Sequence, residues 1–264
     1  MKIGKVEIAK DLPCKIIAEI GTLHHHQGVD GLLLATRDAF NAGADIVKTQ
    51  LIDPTHAWWS TPAQRSRYYR LIEKFPREHW DKYLYKANNE LGPTFASVFD
   101  GETIDQTKDV MPAVKIAYLA RTRTDLVNSA KRALKGKIII SYSDDQDSQG
   151  MIDRSHNYSG KNLYVQSAYP LEEDQCRLPL FGTTYHGLSI HSSNFQIFAG
   201  ALSLGAELLE VHVQGTDAQG KDTEFALDME QLNKLVILRD LLSRHLLGGS
   251  TLNELKSLTN RLAC

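Results

Sequence analysis

The chain has 264 residues, 42% of them hydrophobic and 23% charged, enough apolar side chain to fill a sizeable core. A net charge of −2 leaves no electrostatic footprint for nucleic acid or an anionic membrane. No apolar run reaches the ~20 residues of a membrane helix. The opening MKIGKVEIAK is not a signal peptide, and the three scattered cysteines (Cys14, Cys176, Cys264) suit a reducing compartment, so a cytoplasmic location is expected.

Short β-rich runs then alternate with amphipathic stretches along almost the whole chain. MKIGKVEI reads as a small hairpin plugging the bottom of the fold. KIIAEIG (15–21) is a buried strand, and Val29 to Asn41 a helix. DIVKTQ (45–50) is the second strand, followed by a long polar and aromatic loop through Trp58, Trp59 and Tyr68. A helix is expected over Arg77–Glu90, then the strand TFASVF (94–99) and a short helix opening near Asp100. AVKIAY (113–118) precedes a helix starting around Thr124. KIIISY (137–142) precedes SDDQDSQGMIDRSHNYSG, where no helix is evident. NLYVQSA (162–168), TYHGLSI (184–190) and ELLEVHV (207–213) complete eight strands. Met229–His245 is the final barrel helix, and Thr251–Leu262 an extra one on the outside.

Eight βα units on a chain of this length predict an α/β fold, a single (β/α)8 TIM barrel over residues 1–264, rather than an open doubly wound sheet. Strands buried on both faces should read as apolar runs, as these do. No composition break, repeat or low-complexity segment marks a second domain.

Active sites of such barrels lie at the C-terminal ends of the strands. The polar residues there are Glu19, Lys48 with Gln50, Ser97, Lys115, Ser141, Ser167, Ser189 with His191, and Glu210 with His212. A buried unpaired charge costs several kcal/mol, so each must have a partner. Lys48 and Lys115 converge from different strands with hydroxyls nearby, which makes an anion site suited to phosphate. Lys48 also has two other readings, a core ion pair with Glu19 or a Schiff-base lysine. His191 and His212 end consecutive strands with one helix between; singly each suits a structural role, together they suit a divalent metal. The HHH run at 24–26 invites a metal reading but suits a loop over the mouth better, since adjacent residues cannot all point one way. Trp58 and Trp59 read as loop packing, with a lid on the ligand as the alternative, and Asp144, Asp145 and Asp147 as a solvated acidic loop, with a cation site as the alternative.

These residues also resemble a family. IIAEIG…HHHQG…AGADIVKTQ is similar to the opening of the sialic acid synthases, roughly IIAEIG-NH-G…AGAD-VK-Q. FASVFD, VKIA, IIIS and YPLEEDQCRL resemble further pieces in order, and GLSIH…GALSLGAELLEVHVQGTDAQGKD resembles GLSDH…AV-LGA-IIE-HFT…GPD. The match runs from about Ile3 to Leu235. The resemblance implies a barrel enzyme that condenses phosphoenolpyruvate with an N-acylated amino sugar or related aldose, releasing phosphate. It implies a divalent cation, commonly manganese with magnesium as the alternative, on His191 and His212. Lys48, Ser97, Lys115, Ser141, Ser167 and Ser189 would bind phosphoenolpyruvate. Glu19 and Glu210 would serve catalysis, and Gln50, Tyr169 and Asp222 the sugar.

The chain departs from the family pattern at several positions. The aspartate before the first metal histidine is Ile190, the serine after KI- is Tyr118, and a glutamate two positions further is Ala120. The asparagine of the sixth strand is Ser167, and the loop after the first strand is longer and histidine-rich. The C-terminal antifreeze-like domain common in the family is not expected here, so the sugar side would be covered by loops of this chain, by a second copy in a homodimer, or by a separate capping subunit. The other classes left open are a pyruvate aldolase and a non-catalytic barrel binding a phosphorylated ligand or a synthase partner.

Overall fold

The computed structural model describes residues 1–143, 160–166, 168, 171 and 173–246. Strands β1 (Lys2–Ile3) and β2 (Val6–Glu7) form the expected antiparallel hairpin. Eight parallel strands then close a barrel: β3 (Lys15–Gly21), β4 (Ile46–Leu51), β5 (Thr94–Val98), β6 (Val114–Ile116), β7 (Ile138–Tyr142), β8 (Lys161–Tyr164), β9 (Gly187–Ile190) and β10 (Leu208–His212). Each pairs with the next, and β10 pairs with β3 to close the ring. Among the described residues seven α-helices lie between and after them: α1 (Gly28–Asn41), α2 (Pro62–Lys74), α3 (Trp80–Glu90), α4 (Gly101–Thr107), α5 (Thr124–Ala133), α6 (Phe195–Ser203) and α7 (Met229–Leu246). The expected helix at 251–262 lies outside the described residues.

The strand alternation sorts side chains into two apolar bodies. Ile16, Ala18, Val47, Ala96, Ile116, Ile140, Leu188 and Val211 face outward and pack with helix residues such as Leu32, Leu84 and Phe198. Ile17, Ile46, Phe95, Ala113, Ile139, Leu163 and Leu208 face inward and form the bottom layer of the barrel, with Ile3 and Ile8 of the hairpin segment beneath them. The hairpin is thus the plug the sequence predicts.

One expectation needs correction. The polar and aromatic stretch after β4 is not all loop, because Pro62–Lys74 is helical. No side chain of this helix is fully buried; its packed side is narrow, with Tyr68 and Ile72, four residues apart, half-buried against the core. Its signal is local: Thr61 and Gln64 form a capping box, with Pro62 at the first helical position. The helix expected over Arg77–Glu90 is a 3-10 turn at Arg77–His79 followed by α3. Several strands are shorter than predicted, β8 ending at Tyr164 and β9 starting at Gly187.

Candidate active site

Two residues above each apolar rung, on the same inward face, comes a polar rung. Glu19 follows Ile17, Lys48 follows Ile46, Ser97 follows Phe95, Lys115 follows Ala113, Ser141 follows Ile139 and Glu210 follows Leu208. Neighbouring strands bring these side chains side by side, with Glu19 in register with Lys48, Ser97 with Lys115, and Glu210 with Ser189. All of them are buried. The barrel interior is therefore apolar at its hairpin end and ionic at the C-terminal ends of its strands.

Every charge in that layer has a partner. Lys48 Nζ meets Glu19 Oε2, donates to Ser97 Oγ at 2.8 Å and lies 3.5 Å from Glu210 Oε1. Lys115 Nζ donates to Glu210 Oε2 at 2.6 Å, and Ser189 Oγ donates to Glu210 Oε1 at 2.9 Å. Glu19 Oε1 accepts from the backbone N–H of Gly21. Burial lowers the Lys48 ammonium to about 7, against the pull of Glu210 and with the push of Lys115. Burial alone would raise the Glu210 carboxyl, but Lys115 and Lys48 hold it well below the usual carboxylate range. The core ion pair of Lys48 with Glu19 is thus present, and it sits inside the same polar layer that the anion-site reading requires.

His191 and His212 stand above this layer with ring centroids 4.5 Å apart and planes inclined at 39°. Phe225 meets both edge-on, at 5.1 and 5.3 Å. Burial pushes His191 down to about 4 and His212 well below its ordinary value, with His191 adding to the effect on His212. Both rings are therefore neutral at physiological pH, the form in which imidazole donates a lone pair to a metal. The buried Nδ1 of His212 has no hydrogen-bond partner among the described residues. A divalent cation fits this pair of nitrogens. Among the described residues no group of three His, Cys, Asp or Glu side chains is placed to hold a metal, so the pair would leave coordination positions for other ligands.

The third cluster lies beside Glu19. A Cβ built on Gly21 would stand 3.5 Å from Glu19 Oε1, 3.6 Å from Asp222 Oδ2 and 3.9 Å from Gln50 Nε2. Gln50, Asp222 and Glu19 therefore share one side of the mouth, although Asp222 comes from the segment between β10 and α7. Burial raises the Asp222 carboxyl, while Arg67 and then Lys48 oppose that rise. Ser167 and Tyr169 lie outside the described residues, as do Asp144, Asp145 and Asp147.

The remaining sequence candidates are structural. His24 Nδ1 lies 3.2 Å from Gln27 Oε1, and its Nε2 accepts from the Gly215 N–H at 3.2 Å. His25 instead turns to Thr49 Oγ1 at 3.2 Å and packs edge-on against Phe75, so these two adjacent histidines point different ways. Trp59 stacks on Phe99 with centroids 4.2 Å apart and Trp58 packs on Trp59, which is loop packing. Ile190 and Ala120 are both fully buried in the outward-facing apolar body, which gives the departures at these positions a packing role. Arg121 lies flat over Tyr118, 3.8 Å from the ring centroid. Two residues of the mouth escaped the sequence reading, Phe225 and Arg67. Arg67 sits in the unrecognised helix α2, to which the capping box at Thr61 and the spacing of Tyr68 and Ile72 were clues.

The NeuB family's sequence profile matches residues 35–245. The chain belongs to the NeuB family. It is 28% identical over 283 residues to N-acetylneuraminate-9-phosphate synthase of Mus musculus, covering 96% of this chain and 75% of that protein. It is 25% identical over 260 residues to pseudaminic acid synthase of Campylobacter jejuni, covering 89% of this chain and 75% of the other. In fold, this NeuB-family chain is similar to the N-acetylneuraminic acid (sialic acid) synthetase of Leptospira borgpetersenii solved with citrate. The TM-score is 0.79 at 20% identity, over 99% of this chain and 95% of that one. A truncated 3-deoxy-D-arabino-heptulosonate 7-phosphate synthase of Thermotoga maritima shares the barrel at a TM-score of 0.63 and 14% identity, over 95% of this chain and 93% of that one. Among the described residues no helix is long and apolar enough to cross a membrane.

Proposed function

We propose that this NeuB-family barrel condenses phosphoenolpyruvate with an aldose, giving an acid sugar and inorganic phosphate. The observation that carries the proposal is the stacking of three groups at one barrel mouth. Lys48, Lys115 and serine hydroxyls lie in the buried layer, two neutral histidines stand above it, and Glu19, Gln50 and Asp222 line one side.

Lys48, Lys115, Ser97, Ser141 and Ser189 would hold the phosphate and carboxylate of phosphoenolpyruvate. The two lysines and two glutamates cancel in charge, so a trianion entering this layer calls for further positive charge. His191 and His212 would meet that need by holding manganese or magnesium. A divalent cation there supplies Lewis-acid polarisation of the aldehyde oxygen. The enol carbon bonds to the aldehyde carbon, whose oxygen takes a proton. Water adds to the carbon left cationic and loses a proton, and the C–O bond to phosphate breaks as the new hydroxyl gives up its proton and becomes the keto oxygen. Glu19, between Lys48 and the Gln50–Asp222 side, would handle a proton in place of the family glutamate that is Ala120 in this chain. Both reactants in one mouth also gain the proximity advantage.

The test is incubation with phosphoenolpyruvate, manganese and a panel of aldoses, following phosphate. Release that depends on an aldose supports condensation; no release with any aldose, despite tight phosphoenolpyruvate binding, rejects it in favour of a binding barrel. A second reading rests on Lys48 alone. An amine lowered to about 7 by burial is partly unprotonated at neutral pH, as a Schiff-base lysine must be. Borohydride reduction in the presence of pyruvate would leave a 1-carboxyethyl group on Lys48 Nζ if the protein were an aldolase, and would leave it unmodified under the leading proposal.

A further inference from the structure

Arg67 reaches from α2 across the C-terminal end of the barrel. Its Nη2 donates to Thr22 Oγ1 at 3.2 Å, directly after β3, and to the Gln219 carbonyl at 3.3 Å, in the segment between β10 and α7. Gly220 stands next to it with a φ of +136°, and a Cβ there would come within 2.2 Å of Arg67 Nη2. A left-handed glycine thus makes room for the guanidinium. Two residues later comes Asp222, facing the Glu19–Gln50 side of Gly21.

Tyr68 and Ile72 anchor α2 on the core, while Arg67, half-buried on the same side, turns its guanidinium to Thr22 and Gln219. Arg70, one turn on, is exposed, whereas Arg67 is half-buried. Its Nε and Nη1 donate no hydrogen bond among the described residues and remain available to a ligand. The Asp222 carboxylate, an acceptor whose rise on burial Arg67 opposes, lies at the same mouth on the Glu19–Gln50 side. Donors and an acceptor at one mouth match the hydroxyls of a polyhydroxylated aldehyde, since each hydroxyl both gives and takes a hydrogen bond.

We propose that Arg67 is the positioning residue of the acceptor half of the site. It bridges α2, the turn after β3 and the segment 219–222, and so holds Asp222 where the hydroxyls of an aldose acceptor bind. This rests on the condensation proposed above for what the acceptor is, but the bridge itself can be tested without turnover.

Two measurements on the intact protein test it. Backbone amide exchange over residues 215–224 should be at least about tenfold faster in Arg67→Ala and in Gly220→Ala than in wild type, with the barrel strands unchanged. Unchanged exchange in both variants overturns the bridge, whatever the enzyme does. The second measurement is steady-state kinetics with the aldose giving the fastest phosphate release. Losing a charge-assisted contact should raise the acceptor KM about tenfold in Arg67→Ala, leaving the phosphoenolpyruvate KM within about twofold. Arg67→Lys should recover part of the loss. Without the guanidinium the acidic limb of kcat/KM for the acceptor should move to higher pH, because the Asp222 carboxyl rises. Gly220→Ala should behave like Arg67→Ala, and the double variant should be no worse than either. Faster exchange with an unchanged acceptor KM and pH limb would leave only a structural strap and overturn the positioning role. Absence of phosphate release by wild type with every aldose would instead refute the condensation itself, and the aldose role of Arg67 with it, leaving exchange to decide the bridge.

Discussion

Lys48 and Lys115 share one carboxylate. Glu210 accepts from Lys115 Nζ at 2.6 Å through one oxygen and lies 3.5 Å from Lys48 Nζ through the other. These lysines stand on strands that do not touch each other, β4 and β6, and Glu210 comes from β10. The carboxylate is therefore what brings two cations together on the barrel axis, and it sets what each substitution here should do.

Glu210→Gln should destabilise the fold by about 3–5 kcal/mol, because it leaves the buried Lys115 ammonium without its counter-charge, while Lys48 keeps Glu19. Urea unfolding at neutral pH measures it. Glu210→Gln in combination with Lys115→Met should recover part of that loss, since both partners of the pair are then uncharged. No recovery in the double variant would mean that Glu210 matters for something other than the pair.

Lys115→Ala should weaken phosphoenolpyruvate binding at least about tenfold, since a charge-assisted hydrogen bond is worth ~1.5–3 kcal/mol. Calorimetric titration gives the number directly. Wild-type affinity in the variant would remove Lys115 from the site.

His191→Ala with His212→Ala should abolish binding of manganese to the purified protein, as measured by metal analysis after equilibrium dialysis. Neutral imidazoles that need not be deprotonated, one with an unpartnered buried Nδ1, carry this expectation. Unchanged stoichiometry would place the metal elsewhere.

In the presence of a chelator, stability should fall as the pH drops from about 6.5 toward 4. The unfolded histidines take up protons near their ordinary value, whereas His191 in the fold resists until about 4, so over that window the unfolded state binds more protons. The contribution is fully present above the unfolded value and is lost on acidification through the folded one. Urea midpoints across this window report it, and His191→Gln should flatten the slope. An equal slope in the variant would assign the effect to other groups.

Ile3→Ala should cost about 2–5 kcal/mol by opening a cavity under the bottom layer. Phosphoenolpyruvate affinity should stay within about twofold, because the plug and the ionic layer occupy opposite ends of the barrel. N-acetylmannosamine should be a poor acceptor in the aldose panel, reflecting the altered sugar side. Turnover matching that of a sialic acid synthase would refute that.

The eight strands, the hairpin plug and the inward set Glu19, Lys48, Ser97, Lys115, Ser141, Ser189 and Glu210 were legible in the chain alone. The reason is periodicity: a parallel strand buried on both faces alternates between two environments, so a charge in an apolar run must point into the barrel. His191 and His212 were legible as a pair for the same reason, each ending a strand on the inward parity. What the pattern cannot contain is which charge meets which, because Lys115 and Glu210 are 95 residues apart and their contact depends on how the ring closes. Helix α2 was missed as a helix, since its packed side is only half-buried and the stripe of Tyr68 and Ile72 is short. Arg67 beside Gly220, and Phe225 against both histidines, were decided by tertiary structure alone, where segments distant in sequence are folded over one barrel mouth and local propensity has no part.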